Sequence, residues 1–141
     1  MKGLKRLMFL KWCMGSKDYM RVYVDCENHP KFKVFIPFTL TTYMLRTHSC
    51  PICDSPARLD YEMRTFKLKY DIIDSKKLSK MYAKGERPDE IFSIKCNKCN
   101  ELSVIGSLRE ELGENLKISS CPVCGYNDIK TERFYVDLST K

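Results

Sequence analysis

The chain has 141 residues, room for one ordinary domain or two small ones, and carries a net charge of +7. Eight cysteines in so short a chain point to disulfides, a redox pair or bound metal. No stretch of the sequence approaches the length of a membrane-spanning helix, which excludes a helical membrane protein.

Residues 1–18 read as a basic lead-in. Leu4, Leu7 and Met8 can share a helix face, and Trp12 and Cys13 would then pack on the first strands. Lys11 interrupts the apolar run and no small-residue cleavage site comes after it, so the segment is not expected to be a signal peptide. Residues 19–25, YMRVYVD, alternate and are β-branched or aromatic, which predicts a strand running into Cys26. Residues 31–36 return as a second strand that Pro37 ends, because proline has no N–H for a ladder. Residues 38–48 are less regular, and Thr39–Arg46 fits a short helical turn or a third strand. After the turn Asp54-Ser55-Pro56, residues 58–70 read as one long strand. Leu78, Met81 and Tyr82 then keep helical spacing, with Asp74 or Ser75 as N-cap and Gly85 as stop. Strands are expected at 90–95, 101–108, 116–119 and 129–138, so the second half repeats the first.

The repeat is carried by four tight pairs. Cys26-Glu-Asn-His29 is C-x-x-H; Cys50-Pro-Ile-Cys53, Cys96-Asn-Lys-Cys99 and Cys121-Pro-Val-Cys124 are C-x-x-C. In order they make one set of Cys26, His29, Cys50 and Cys53 and another of Cys96, Cys99, Cys121 and Cys124. The first-to-last span is 27 positions in one set and 28 in the other. Structural zinc takes four tetrahedral nitrogen or sulfur ligands in a closed shell, and a two-residue gap turns both side chains of a pair towards one ion. Two Zn²⁺ ions are therefore expected. The first set depends on His29, with His48 and Cys13 as alternative ligands. An iron–sulfur cluster also uses four cysteines, but the spacing favours zinc. A redox C-x-x-C belongs beside a βαβ unit, which is not in the pattern. In a reducing cytosol such pairs hold metal and not disulfides, so the expected location is the cytoplasm or a particle assembled there. Units this small bury too little surface to fold unaided, so each ion should serve as a core. Loss of the second ion is then expected to unfold the C-terminal unit and spare residues 19–70.

Each unit resembles a zinc ribbon. The pattern Cys26-x-x-His29…Cys50-Pro-x-Cys53 is similar to short modules of phage and bacterial nucleic-acid proteins. The tandem arrangement resembles small two-ribbon subunits and factors of cellular RNA polymerases. The resemblance covers about residues 19–70 and 90–138. It implies a mainly β, metal-stabilised fold of two tandem zinc ribbons joined by a short helix. The corresponding division is a lead-in (1–18), a first ribbon (19–70), a helical linker (71–89) and a second ribbon (90–141). Transcript-cleavage ribbons carry an adjacent Asp-Glu at a hairpin tip. The comparable loop here offers Glu110 and Glu111, which does not match.

No catalytic arrangement stands out, and both ligand sets look closed, so the chain is not expected to be an enzyme or to take a small-molecule substrate. Charge is uneven: residues 1–70 hold 13 basic and 6 acidic residues, and residues 71–141 hold 12 of each. Thiolate ligation would leave the halves near +6 and −2. Lys31, Lys33, Arg64, Lys67 and Lys69 interleave with aromatics in the first unit and are the candidate nucleic-acid contacts. Phe32 and Phe66 are better placed as core. The expected function is a non-catalytic module acting with nucleic acid or transcription machinery. The alternative is an adaptor clipped into a larger assembly such as a polymerase or virion, with the last strand adding to a partner's sheet.

Overall fold

The computed structural model describes residues 18–37, 42–62, 64–107 and 117–140. Most of the basic lead-in with Cys13, and the loop with Glu110 and Glu111, lie outside the described residues. The elements run β1 (Tyr19–Asp25), β2 (Phe32–Pro37), α1 (Tyr43–Thr47), β3 (Arg58–Tyr61), β4 (Leu68–Ile72), α2 (Ser75–Ala83), β5 (Asp89–Cys96), β6 (Leu102–Ser107) and β7 (Ile129–Thr140). The protein is mainly β, and its seven strands form a single antiparallel sheet of order β3-β1-β2-β6-β5-β7-β4. Strands from both cysteine units therefore lie in one sheet, joined where β2 pairs with β6. No described helix is long and apolar enough to cross a membrane.

That junction has an internal two-fold register. Val34 lies opposite Ile105, Lys33 opposite Gly106 and Phe35 opposite Val104. The second knuckles are offset by 71 positions between units (Cys50 to Cys121), and the same offset takes Val34 to Ile105. Exchanging the units maps the Lys33 pair onto the Phe35 pair, so the symmetry passes through Val34 and Ile105. The first knuckles are offset by 70 (Cys26 to Cys96), so the second unit has gained one residue after Cys99.

Segment 58–70, expected as one strand, is broken, and its last part extends to Ile72. Its first part pairs with β1, residue 66 still bridges to Tyr19, and its last part crosses to β7. The described part of β1 ends at Tyr19, and beyond that point the segment takes the open edge of β7 instead. The sheet thus curls until its two ends meet along this bent segment. At the bend Arg21 pairs with Glu62, and its guanidinium lies 4.4 Å from the Phe66 ring centre. The Arg21 hydrogen bond holds the Glu62 carboxyl below the usual carboxylate range.

Alternation sorts the apolar residues onto two faces. The face inside the curl packs Tyr19, Phe35, Leu68, Tyr70, Ile91, Leu102, Val104 and Val136. The other face packs Met20, Val22, Val24, Phe32, Val34, Ile36, Phe92, Ile94 and Ile105 against Met44 of α1 and against Cys50 and Ile52. Phe32 and Phe66 are both buried. Residues 43–47 resolve the ambiguous stretch as a helix, with Thr42 as N-cap. Residues 117–119 form no strand. α2 starts at an Asp74 cap that accepts from Lys77 N–H, and Gly85 comes after it at φ 77°. β7 pairs with β5 over Ile129–Val136 on one edge and with β4 over Val136–Thr140 on the other, so Val136 is the residue paired on both edges.

Candidate metal centres

The fold brings the distant cysteine pairs together in both units. Cys96, Cys99, Cys121 and Cys124 place their four sulfurs within 4.8 Å of one another. Cys96 Sγ is 3.5 Å from Cys124 Sγ, and Cys99 Sγ is 3.8 Å from Cys121 Sγ. A tetrahedral ion with metal–sulfur bonds of about 2.3 Å puts neighbouring sulfurs about 3.8 Å apart. The second cluster fits that geometry. Cys26, Cys50 and Cys53 form a three-sulfur group within the same 4.8 Å limit, with Cys26 Sγ 3.5 Å from Cys53 Sγ. Both clusters can hold a metal ion.

His29 is not among the atoms inside that limit. Its backbone closes the knuckle, donating N–H to Cys26 O at 3.4 Å. Its Nε2 is buried and has no hydrogen-bond partner among the described residues. A buried imidazole nitrogen without a partner is costly, and a metal ion is one of the few things that satisfies it. His48 also stands outside the cluster. It ends α1 in the left-handed conformation and lines the open groove beside Cys26 with Asn28 and Ser55.

Local backbone explains the knuckles. The first cysteine of each C-x-x-C pair accepts N–H groups from the two residues ahead, as Cys96 does from Lys98 at 3.3 Å and Cys99 at 3.4 Å. The residue after each pair is left-handed: Asp54 at φ 60°, Asn100 at φ 60° and Gly125 at φ 80°. Asp, Asn and Gly are the residues that tolerate that region. Each then donates N–H back to its first cysteine: Asp54 to Cys50 O at 2.8 Å, Asn100 to Cys96 O at 3.1 Å, Gly125 to Cys121 O at 2.8 Å. The Cys26 knuckle cannot do the same. Pro30 stands in that position, with φ fixed negative and no N–H. The first unit is also one residue shorter here.

The thiols differ in environment. Burial pushes Cys50 up to about 12 and raises Cys99 and Cys121. At Cys53 burial acts upwards too, but hydrogen bonds from Ser55 and Asn28 outweigh it and bring the thiol down to about 6. At Cys96 burial is likewise outweighed, by the Cys99 and Lys98 amides, to about 7. Asn28 Nδ2 lies 3.6 Å from Cys53 Sγ and 3.1 Å from Ser55 Oγ. The spacing rule reads ligands only, and so does not point to Asn28 and Ser55.

Each second knuckle is held by the segment that leads into the other. Tyr43 N–H donates to Val123 O at 2.8 Å and Met44 N–H to Pro122 O at 3.0 Å, while Ser119 N–H donates to Pro51 O at 2.9 Å. A Cβ added to Gly125 would lie 2.7 Å from the Tyr43 ring. Gly85 has similar φ but nothing within 4 Å of its added Cβ. Gly125→Ala is expected to cost about 2–4 kcal/mol, from left-handed strain plus a forced contact. Gly85→Ala carries only the strain, about 1–2 kcal/mol. Chemical denaturation of the two variants checks the difference; equal costs would remove the Tyr43 contact from the account.

The five basic candidates are dispersed. Lys31 is exposed, 3.9 Å from Asp25; Lys67 lies 3.0 Å from Asp18; Arg64 lies 3.3 Å from Glu62 and 4.7 Å from the Phe66 ring centre. Lys33 is half-buried, its pKa lowered by burial, with Nζ 5.9 Å from the Phe35 ring centre. Lys69 is on β4, opposite Ser139 and on the far side of the sheet order from Lys31 and Lys33.

No protein-family model matches the chain, and neither does any curated protein or solved structure.

Proposed function

We propose that the chain is a non-catalytic, zinc-stabilised binding module that acts with nucleic acid, as part of transcription machinery or beside it. Cys96, Cys99, Cys121 and Cys124 would hold one Zn²⁺; Cys26, Cys50, Cys53 and His29 would hold the other. Closed ligand shells of this type supply folding energy and leave no coordination position for a substrate. Elemental analysis of protein purified without added metal should give two zinc ions per chain.

The observation that carries the nucleic-acid reading is α2. Every lysine on it is exposed, and no residue of the helix is buried. Lys76, Lys80 and Lys84 recur every fourth position, so they share one stripe at roughly 6 Å intervals. Among the described residues none of the three has an ion-pair partner, whereas Lys77 is 3.2 Å from Asp137. Such an unopposed cationic stripe suits a phosphate backbone. Lys31, Lys33, Arg64, Lys67 and Lys69 remain secondary contacts, because three of them stand beside carboxylates.

Fluorescence anisotropy with duplex and single-stranded DNA and RNA across a salt series tests this. Replacing Lys76, Lys80 and Lys84 by Gln is expected to weaken binding and flatten the log–log salt slope by roughly 2–3. Replacing Lys31, Lys33, Lys67 and Lys69 by Gln should have the smaller effect. No binding of any probe at low salt eliminates the nucleic-acid reading. The adaptor reading would then stand on the exposed Tyr61, Tyr82 and Tyr126, a residue type enriched at protein interfaces.

A further inference from the structure

We propose that the two metal centres are thermodynamically coupled: an ion held at one raises the affinity of the other, through the bonds that tie each second knuckle to the segment leading into the other. The inference rests on both clusters holding metal.

The connection is reciprocal. The segment that leads into Cys50 hangs on the other unit's knuckle, through Tyr43 N–H to Val123 O and Met44 N–H to Pro122 O. The segment that leads into Cys121 hangs on the first unit's knuckle, through Ser119 N–H and Ser119 Oγ, both to Pro51 O, at 2.9 and 3.0 Å. All three accepting carbonyls lie inside a ligand turn, between the two cysteines that one ion would bind. With the ion in place the turn is fixed and its carbonyls are aimed. Without it, each turn has only weak N–H to sulfur bonds and two closing backbone bonds to hold its shape, Asp54 N–H to Cys50 O with Cys50 N–H to Ser55 O in one and Gly125 N–H to Cys121 O with Cys121 N–H to Tyr126 O in the other. The carbonyls then lose their aim, and the donors beside the other site's ligands lose their partners. Ordering that other site costs more as a result, which is how a contact becomes a coupling free energy.

Packing points the same way. Cys50 and Ile52 belong to one core cluster with Phe92, Ile94 and Ile105 of the second unit, and Ile118 and Val123 pack on it. The Tyr43 ring fills the space over Gly125. Movement of either knuckle therefore repacks a surface that both share.

Cobalt(II) titration of the full chain is the test, because thiolate-to-cobalt absorption reports each ion bound and four-sulfur and three-sulfur sites differ in spectrum. Cys26→Ser and Cys99→Ser each cripple one site at its first knuckle and leave the contact residues unchanged. Co²⁺ affinity at the intact site is expected to fall at least tenfold, ~1.4 kcal/mol, in both variants. Linkage requires the two factors to be equal. Intact-site affinity within twofold of the wild type overturns the proposal.

Should either variant fail to fold, stepwise chelation of the wild type with native mass spectrometry decides. Coupling predicts two-ion and ion-free chains with few one-ion chains; a dominant one-ion species overturns it. Ser119→Pro, which removes both donors to Pro51, is expected to let that one-ion species accumulate. An unchanged distribution in this variant counts against the knuckle contact as the route. A wild type that takes up no Co²⁺ refutes the underlying metal reading, a failure distinct from two sites that fill independently.

Discussion

Cys121→Ser is expected to unfold the whole sheet and not the C-terminal half alone. The change removes a buried sulfur from the more complete cluster. Structural metal contributes roughly 10–16 kcal/mol of apparent binding energy in small finger peptides. A typical domain has only about 5–15 kcal/mol of net stability, so loss of one ion is enough to abolish it. What spreads the damage is topology. β6, β5 and β7 are consecutive in the sheet and lie between β2 and β4, so both flanks of the second unit's strands pair with strands of the first. Limited proteolysis with mass spectrometry should find cuts within 19–37 as readily as within 89–107. A protected fragment spanning 19–70 would show that the two halves fold separately, as the sequence pattern alone suggests.

The second large effect concerns the first half by itself. A fragment ending at residue 74 keeps Cys26, Cys50 and Cys53 together with His29, the proposed fourth ligand. It loses β6 from the edge of β2 and β7 from the edge of β4. The core inside the curl loses Ile91, Leu102, Val104 and Val136, which leaves Tyr19, Phe35, Leu68 and Tyr70 without their facing layer. An exposed apolar edge strand and a half-core do not sustain a compact monomer. With Zn²⁺ supplied, the fragment is expected to give a collapsed amide region in its proton–nitrogen NMR spectrum. A well-dispersed spectrum from a monomeric fragment would contradict this.

The two cysteine clusters were legible because metal chemistry is local. A tight pair needs two cysteines three apart, and that survives as a sequence pattern. Strands β1, β2, β5 and β7 were legible for a related reason: alternation of apolar residues is written in each strand itself. Even the departure of the first knuckle is readable, in Pro30 against Asn100. Pairing between β2 and β6 was not, because Val34 and Ile105 are 71 positions apart and nothing in either strand names its partner. The bend in segment 58–72 was hidden too. Its residues alternate well enough for one straight strand, and only the end of β1 and the open edge of β7 make it switch partners. Ser119 and Tyr43 meet the opposite knuckle through backbone groups, which leave no trace in residue type.

The two-fold register at Val34 and Ile105 has a consequence for how the protein is made. Synthesis runs from the N-terminus, so β2 emerges long before the strand that completes it. Until β6 emerges, the β2 edge is open, and its register is close to self-complementary. Another nascent chain can offer that edge a pairing much like the native one. Neighbouring ribosomes on one message hold such edges at high local concentration. The interval between translation of residues 37 and 102 is thus the window in which cross-chain pairing competes with folding. Slow elongation through α2 would lengthen it, and an early ion at the first site would not close it.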